Sequence, residues 1–383
     1  MSWVPNPREY PEGRLFCLDL LRGIDMFYLA IGSVVLRELM KLWNVSDATQ
    51  GFFTTHYWYG FTLYDLIMPL FIFMCGAAVP FSLERRIHNS RNRPFDDSTI
   101  RRFPSPSISP YWKHVLGRFA MLWVLGMFTQ GELQSFDLHR ISPYNNTLQT
   151  IAFGYLVTAA VVLIRPRWIQ LAIPVALTVA YGLIVHFGGD YTKDGNVTMA
   201  FELKILNSFL PADNAQTANV VKHGYTWFLP SMMFPVITLA GYFSTKLLQR
   251  KKAGWLVVGG WLLVVGGWLL YACGVEMVKH IFTVSFTLQA IGWSALSLAL
   301  LYVVTDVWKI RRGTGWLLLF GQFALTAYIC EAILRGTLKG VWTRFFGGLD
   351  RFFPSSWSAL IAAIGYSLVV FAVLIVRRRL KAK

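Results

Sequence analysis

The sequence predicts an all-α protein, a polytopic helical bundle of about ten transmembrane helices. Three observations predict it. Of the 383 residues 55% are hydrophobic and only 15% charged, where soluble domains carry about 25% charged residues; the mean hydropathy is +0.46. Apolar stretches of about 20 residues, the length that crosses a bilayer core, recur along the chain. The lysines and arginines that give a net charge of +16 gather between those stretches. In a soluble protein that charge would suggest nucleic acid. Here it follows the positive-inside pattern, so nucleic acid is not the expected partner and the lipid bilayer is.

In chain order the expected spans are 15–36, 62–83, 114–131, 147–164, 168–187, 227–247, 255–274, 283–304, 315–334 and 356–376. The third is short, and the fourth and fifth are divided only by "RPR" at 165–167. With the N-terminus inside, the inner segments hold roughly two-thirds of the lysines and arginines, so both termini face the cytoplasm. The whole of 1–383 reads as a single membrane-embedded domain. Its largest basic loop is 84–113, containing "RRIHNSRNRPFDDSTIRRF", and the final "RRRLKAK" anchors the last helix inside. The outer loop 188–226 is too short for a separate domain and reads as a lid or rim over a cavity. The cysteines Cys17, Cys75, Cys273 and Cys330 are scattered, with neither disulfide nor metal spacing. No cleavable signal pattern precedes the first span, and no internal repeat marks an inverted-repeat transporter. Asn44, Asn145 and Asn196 begin glycosylation-type triplets in outer segments, which mean nothing in a bacterium.

Ionisable residues inside spans are costly, roughly 2.5–3.5 kcal/mol each, and are candidates for function. Here they are Asp19, Arg22 and Asp25 in the first span, Asp65 in the second, Arg118 in the third and Glu331 in the ninth, with His56 and Lys279 just before the second and eighth. In "LDLLRGID" (18–25), Asp19, Arg22 and Asp25 are spaced by three and share a helical face. They read either as an intrahelical ion network or as an arginine partly free for an anionic ligand, with Gly23 allowing close backbone approach. His56 and Asp65 stand nine apart in "HYWYGFTLYD", so no direct helical pair is implied. His56 reads either as an interfacial histidine or as a base or acyl acceptor working near neutral pH, oriented by the Asp65 carboxylate. Tyr57, Trp58, Tyr59 and Phe61 read either as the interfacial aromatic belt or as a platform for a sugar ring.

The block "THYWYGFTLYDLIMPLFIFMCGAAVPFSL" (55–83) resembles the membrane acetyltransferase family of heparan-α-glucosaminide N-acetyltransferase and its bacterial relatives. His56, Gly60, Thr62, Asp65, Leu66, Pro69, Phe71, Phe73 and Gly76 carry the resemblance, together with Trp58. "LDLLRGID" looks like the family's opening motif. "HVLGRFAMLWVLG" (114–126), with Arg118, is similar to its third helix. Weaker likeness runs through "NTLQTIAFGYL" (146–156), which holds Gln149 and has Thr150 where the family has arginine, through "KHIFTVSFTL" (279–288), and through "LLFGQFALTAYICEAIL" (318–334). Two departures stand out: Ser33 occupies the place of an asparagine implicated in the family's reaction, and "YTWFLPSMMFP" (225–235) replaces an acidic-glycine motif.

The resemblance implies transfer of an acetyl group from cytoplasmic acetyl-CoA, as acyl donor, to an amino sugar or glycan on the outer side, with no metal. His56, Asp65 and Ser33 would be catalytic, His56 as general base or acyl carrier. Arg22, Arg118, Asp19 and Gly23 would serve the polyanionic donor, and Trp58, Tyr57, Lys279 and Gln149 the acceptor. It further implies a homodimer, although no residue marks an interface, and the compact chain is expected in a bacterial inner membrane. Two other readings use the same residues: a secondary transporter with a path through Asp65, Arg22 and Glu331, and an O-acyltransferase acting on sugar hydroxyls.

Overall fold

The computed structural model describes residues 15–84, 109–130, 136–211, 213–334 and 351–382, with a few single positions outside these runs. The basic cluster 85–103 and most of 335–350 lie outside the described residues. Among the described residues every regular element is helical. The elements in order are α1 (Phe16–Phe27), a π-helical segment (Tyr28–Gly32), α2 (Ser33–Leu42), α3 (Asp47–Thr54), α4 (Leu63–Ala77), α5 (Ser109–Thr129), α6 (Thr147–Val162) and α7 (Arg167–Gly188). They continue as α8 (Val197–Phe209), α9 (Ala215–His223), α10 (Met233–Gln249), α11 (Ala253–Ala272), α12 (Val284–Leu301), α13 (Gly315–Gln322), α14 (Ala324–Ile329) and α15 (Ser355–Ala382).

This is a helical membrane protein by the length and apolarity of its helices. Leu63–Leu83, Arg167–Gly188, Ala253–Ala272, Val284–Val307 and Trp357–Lys381 are each long and apolar enough to cross a bilayer. All ten expected segments are mostly helical over their described residues, but the others are shorter or carry charge. α6, for example, has 16 residues, and α1 contains Asp19, Arg22 and Asp25. The ninth expected span is not one helix. It breaks at Phe323 into α13 and α14, bent by 78°, although "LLFGQFALTAYICEAIL" reads as an unbroken apolar run.

The centre of the bundle is α4, which packs on α1, α6, α10 and α12 and buries Ile72 and Phe73 completely. Its start is written locally. Thr62 takes extended backbone, accepts from the Asp65 N–H through Oγ1, and receives the Asp65 carboxylate on its own N–H, a capping box. Helices can approach closely around α4 because two glycines leave room. A Cβ on Gly76 would strike the Thr238 carbonyl oxygen of α10, and one on Gly241 the Phe73 carbonyl oxygen of α4. Hydroxyls finish the contact: Thr245 donates to the Ala77 carbonyl at 2.9 Å, and Thr158 of α6 meets Thr238 at 2.6 Å.

α1 begins at Leu15, which has no capping side chain. Asp306, in the π-helical segment Tyr302–Val307 that continues α12, supplies the cap instead. Its two oxygens accept from the Phe16 and Cys17 N–H groups at 3.0 and 2.9 Å, where the helix dipole favours an anion. The expected outer loop 188–226 folds into α8 and α9, each started by an asparagine whose side chain accepts from the first turn: Asn196 from Met199 and Asn214 from Gln216. Asn196 is thereby buried and cannot serve as a surface glycosylation site.

Gly76→Ala is expected to overpack the α4–α10 contact at a cost of about 1–3 kcal/mol. Gly259→Ala, at a position where a Cβ meets nothing, is expected to be neutral or to stabilise by up to about 1 kcal/mol through helix propensity. Thermal unfolding of the two variants in detergent checks the contrast.

Candidate functional site: a histidine–carboxylate–lysine cluster on an interhelical cavity

The site is assembled from three connections. The first is residues 55–62, between α3 and α4. The second is 275–283, between α11 and α12, and the third is 224–228, before α10. Gly60, with φ +102°, turns the first connection so that its N–H donates to the Met277 carbonyl at 2.8 Å, a backbone conformation that favours glycine. The Thr226 N–H donates to the His280 carbonyl at 3.2 Å. His280 itself lies between two rings, Trp58 at 4.8 Å and Tyr225 at 4.1 Å.

These ties bring His56, Asp65 and Lys279 together. His56 Nδ1 stands 2.6 Å from Asp65 Oδ1. The other Asp65 oxygen accepts from the Thr62 N–H at 3.0 Å and the Thr62 hydroxyl at 2.6 Å. Lys279 Nζ lies 3.6 Å from Asp65 Oδ1 and 2.9 Å from both ring nitrogens of His56. An ammonium equidistant from both nitrogens is aligned with neither lone pair, so its effect on the ring is Coulombic. Asp65 and Lys279 are nearly inaccessible at 1% and 4% side-chain exposure, whereas His56 keeps 29%. The histidine is therefore the most accessible member of the cluster.

Burial, and then the Lys279 ammonium, hold His56 below its ordinary value, against the hydrogen bond and charge of Asp65, which raise it. The ring is neutral at pH 7. Asp65 accepts at Nδ1, which places the ring proton there and leaves the Nε2 lone pair available. Burial lowers Lys279 to about 8, while the Asp65 charge opposes that shift.

His56 and Lys279 open onto a cavity of about 280 Å³. Its walls include Met26 and Leu29, the rings of Tyr64, Tyr225, Trp227 and Tyr328, and Glu331. A second cavity of about 420 Å³ is lined by Asp19, Arg22, Gly321, Gln322, Phe323, Arg378 and Lys381. The two have no lining residue in common, but the same two stretches of chain contribute to both. Asp19, Arg22 and Met26 of α1 and Leu29 of the π segment that follows recur at helical spacing, and the broken α13–α14 unit contributes to both. Arg22 and Leu29 are seven residues apart, roughly 10 Å along the helix.

The remaining sequence candidates fall in different places. Arg22 pairs with Asp19 at 3.3 Å. No ion pair reaches Asp25 among the described residues; it sits with Leu18 and Leu21 on the buried face, so the network read over Asp19, Arg22 and Asp25 reduces to one pair. Gly23 is used for helix packing. A Cβ there would strike the Leu317 carbonyl oxygen of α13, which leaves no close approach for a ligand. Arg118 stacks on Tyr155, 4.6 Å from the ring centroid, and lines neither cavity; like Arg22 it is within Coulombic reach of Cys75. Ser33 stands off the α1 stripe and donates to the Leu29 carbonyl at 3.3 Å. The π segment before it adds a residue to that turn and so rotates α2 relative to α1.

Gln149 spends its amide on the loop before α6, accepting from Asn145 N–H and donating to the Pro143 carbonyl. Tyr57 covers Gly51. Trp58 donates to the Tyr191 carbonyl at 2.9 Å and supports the cavity wall through His280. Sequence reasoning missed Tyr64, Tyr225, Trp227, Tyr328, Arg378 and Lys381. Their only sequence signal was polar or aromatic character at helix ends, which is common to every interfacial segment.

The rate of carbethoxylation of His56, followed by mass spectrometry against pH, is expected to show a midpoint below 6.5. Lys279→Met removes a neighbouring positive charge, so the imidazolium becomes easier to form and the midpoint moves up. Asp65→Asn removes the hydrogen bond and charge that raise it, so the midpoint moves down. An unchanged midpoint in both variants would contradict the electrostatics described.

The chain matches no family model, and no curated protein matches it.

Proposed function

We propose that this chain is a membrane-embedded acyltransferase that moves an acetyl group from acetyl-CoA to an amino sugar or glycan, with His56 at the point of transfer. The observation that carries the reading is the 2.6 Å contact of His56 Nδ1 with Asp65 at the mouth of a cavity that also holds Lys279. In this reading the chain spans a bacterial inner membrane ten times, both termini lie in the cytoplasm, and His56 is on the outer side. Two further features support it. Arg22, Arg378 and Lys381 surround the cavity further along α1, a donor set suited to phosphate groups. The first helix and the broken α13–α14 unit contribute to the lining of both that cavity and the one at His56.

The donor supplies an activated thioester carbonyl. His56 Nε2 takes the proton of the attacking amine as the carbon–nitrogen bond forms and the carbon–sulfur bond breaks, and the proton is then passed to the departing thiolate. Alternatively Nε2 attacks the thioester carbonyl and the carbon–sulfur bond breaks to release the thiolate; the amine then attacks the acyl-imidazole, the Nε2–carbon bond breaks, and the amine proton ends on the thiolate. Either role uses Nε2, because Asp65 holds Nδ1. The Lys279 ammonium stabilises the negative charge that develops on the carbonyl oxygen. The apolar walls formed by Met26, Leu29, Ile67, Met68 and Phe71 exclude water that would hydrolyse the thioester.

His56→Ala is expected to lower transfer of labelled acetyl from acetyl-CoA to glucosamine by at least about 100-fold, while the purified variant keeps its thermal unfolding profile. Full activity would remove His56 from the mechanism. Label retained on acid-quenched protein, and lost in the variant, would identify the acyl-carrier route. Arg22→Ala and Lys381→Ala are expected to raise the donor KM by about 10-fold each and to leave the acceptor KM unchanged.

A secondary transporter is the second reading. The 78° break in a cavity-lining helix favours it, since broken spans line transport sites. Amino-sugar flux into proteoliposomes without acetyl-CoA would establish it.

A further inference from the structure

Trp227 and Tyr225 form the cavity wall beside His56, yet they sit on a connection rather than a helix. What holds that connection is one side chain from α8. Glu202 is fully buried, and its Oε2 accepts from two consecutive backbone donors, the Trp227 N–H at 3.0 Å and the Phe228 N–H at 2.8 Å. Nearby bonds reinforce the placement. Thr226 donates to the Thr198 hydroxyl, one turn before Glu202 on α8, at 3.1 Å. The Trp227 indole donates to Asn145 Oδ1 at 2.9 Å. The Thr226 N–H reaches the His280 carbonyl at 3.2 Å, so the connection is tied to the segment that carries Lys279.

We propose that Glu202 is a positioning residue for the acceptor-facing wall: its carboxylate pins the Tyr225–Phe228 connection, and the wall tightens when that carboxylate is ionised. The proposal rests on the acyltransferase reading only for the identity of the ligand. A carboxylate is a stronger acceptor for two N–H groups than a carboxylic acid, and an unmet pair of buried donors is expensive. The groups that face Glu202 from the packed elements are Tyr144 from the segment before α6, Tyr181 from α7, and Gln216 from α9, whose amide donates to the Tyr144 carbonyl and favours the carboxylate from nearby. Among the described residues no cation acts on it. Burial therefore pushes Glu202 up to about 7, against the two backbone bonds and Gln216. The carboxylate is lost as pH falls through that value. The wall is held above it and loosened below it.

The test uses the full chain in detergent. Hydrogen exchange at the Trp227 and Phe228 amides, corrected for intrinsic rates, is measured from pH 6 to pH 8, alongside the acceptor KM for glucosamine. In the unsubstituted protein, protection is expected to rise about 10-fold with pH, and the KM to fall in parallel. Glu202→Gln keeps the shape and an acceptor oxygen without a titrating group, so the protection profile becomes flat and the acceptor KM loses the part of its pH dependence that tracks protection. Glu202→Ala leaves the amides unprotected at every pH and raises the KM while the donor KM is unchanged; should it fail to fold, Glu202→Gln alone decides. A pH-dependent protection that persists in Glu202→Gln would overturn the proposal. So would a KM insensitive to both substitutions. Absence of acetyl transfer in the unsubstituted protein would reject the enzyme reading, while the exchange profile still decides whether Glu202 holds the wall.

Discussion

One carboxylate does three jobs in this molecule. Asp65 starts the central helix by accepting from the Thr62 backbone and hydroxyl, orients the accessible histidine through its other oxygen, and stands against the buried Lys279 ammonium. The jobs are coupled. A carboxylate fixed at the first turn of a packed helix cannot follow a mobile partner, so His56 and Lys279 must come to it. The loop turn at Gly60 and its bond to Met277 bring them there. Pro69 stands four residues on and has no N–H for the Asp65 carbonyl, so the start of α4 depends all the more on its cap.

Around that fixed point the protein separates rigid from adjustable parts. The contacts of α4 with α10 and of α1 with α13 are backbone-to-backbone at glycines, which leaves little freedom for sliding. The cavity wall opposite is made of side chains on the 224–228 and 275–283 connections. These are held by discrete hydrogen bonds with Glu202, Thr226 and Asn145 and by the stacking of Trp58 on His280. A ligand entering beside His56 therefore meets a stiff floor and a wall whose position is set by a few polar groups. The broken α13–α14 unit adds a second feature at the same place. Its bend lets Tyr328 and Glu331 face the cavity at His56 while Gly321, Gln322 and Phe323 line the one at Arg22.

Particular residues show why some of the site was legible and some was not. His56 and Asp65 could be singled out because a histidine and an acid beside a long apolar run have few bland explanations. Their pairing could not be read, since a separation of nine residues matches no helical period, and only the extended cap at Thr62 folds one back on the other. Ser33 follows the a/d spacing of Asp19, Arg22, Met26 and Leu29 and misses the cavity because a π turn intervenes, an irregularity that spacing alone does not announce. Gly23 is a point of close approach, as its place in the motif suggests, but what approaches is another helix. Glu202 gave no sign in "TMAFELKIL", because an acid on a short helix outside the spans is ordinary until its backbone partners arrive from 25 residues on.

By itself the sequence determined the helical membrane character, the approximate places of the long apolar helices, and which polar residues were too costly to be incidental. Those features arise from hydrophobic length, from charge distribution and from the expense of burying ions, all of which act over a few turns of chain. Only the tertiary structure decided the rest. It fixed which polar residues meet, which face of α1 lines a cavity, where the ninth apolar run breaks, and which buried acid holds the wall. These depend on contacts between segments far apart in sequence, where register, π turns and glycine-sized gaps move a side chain by a whole helix face.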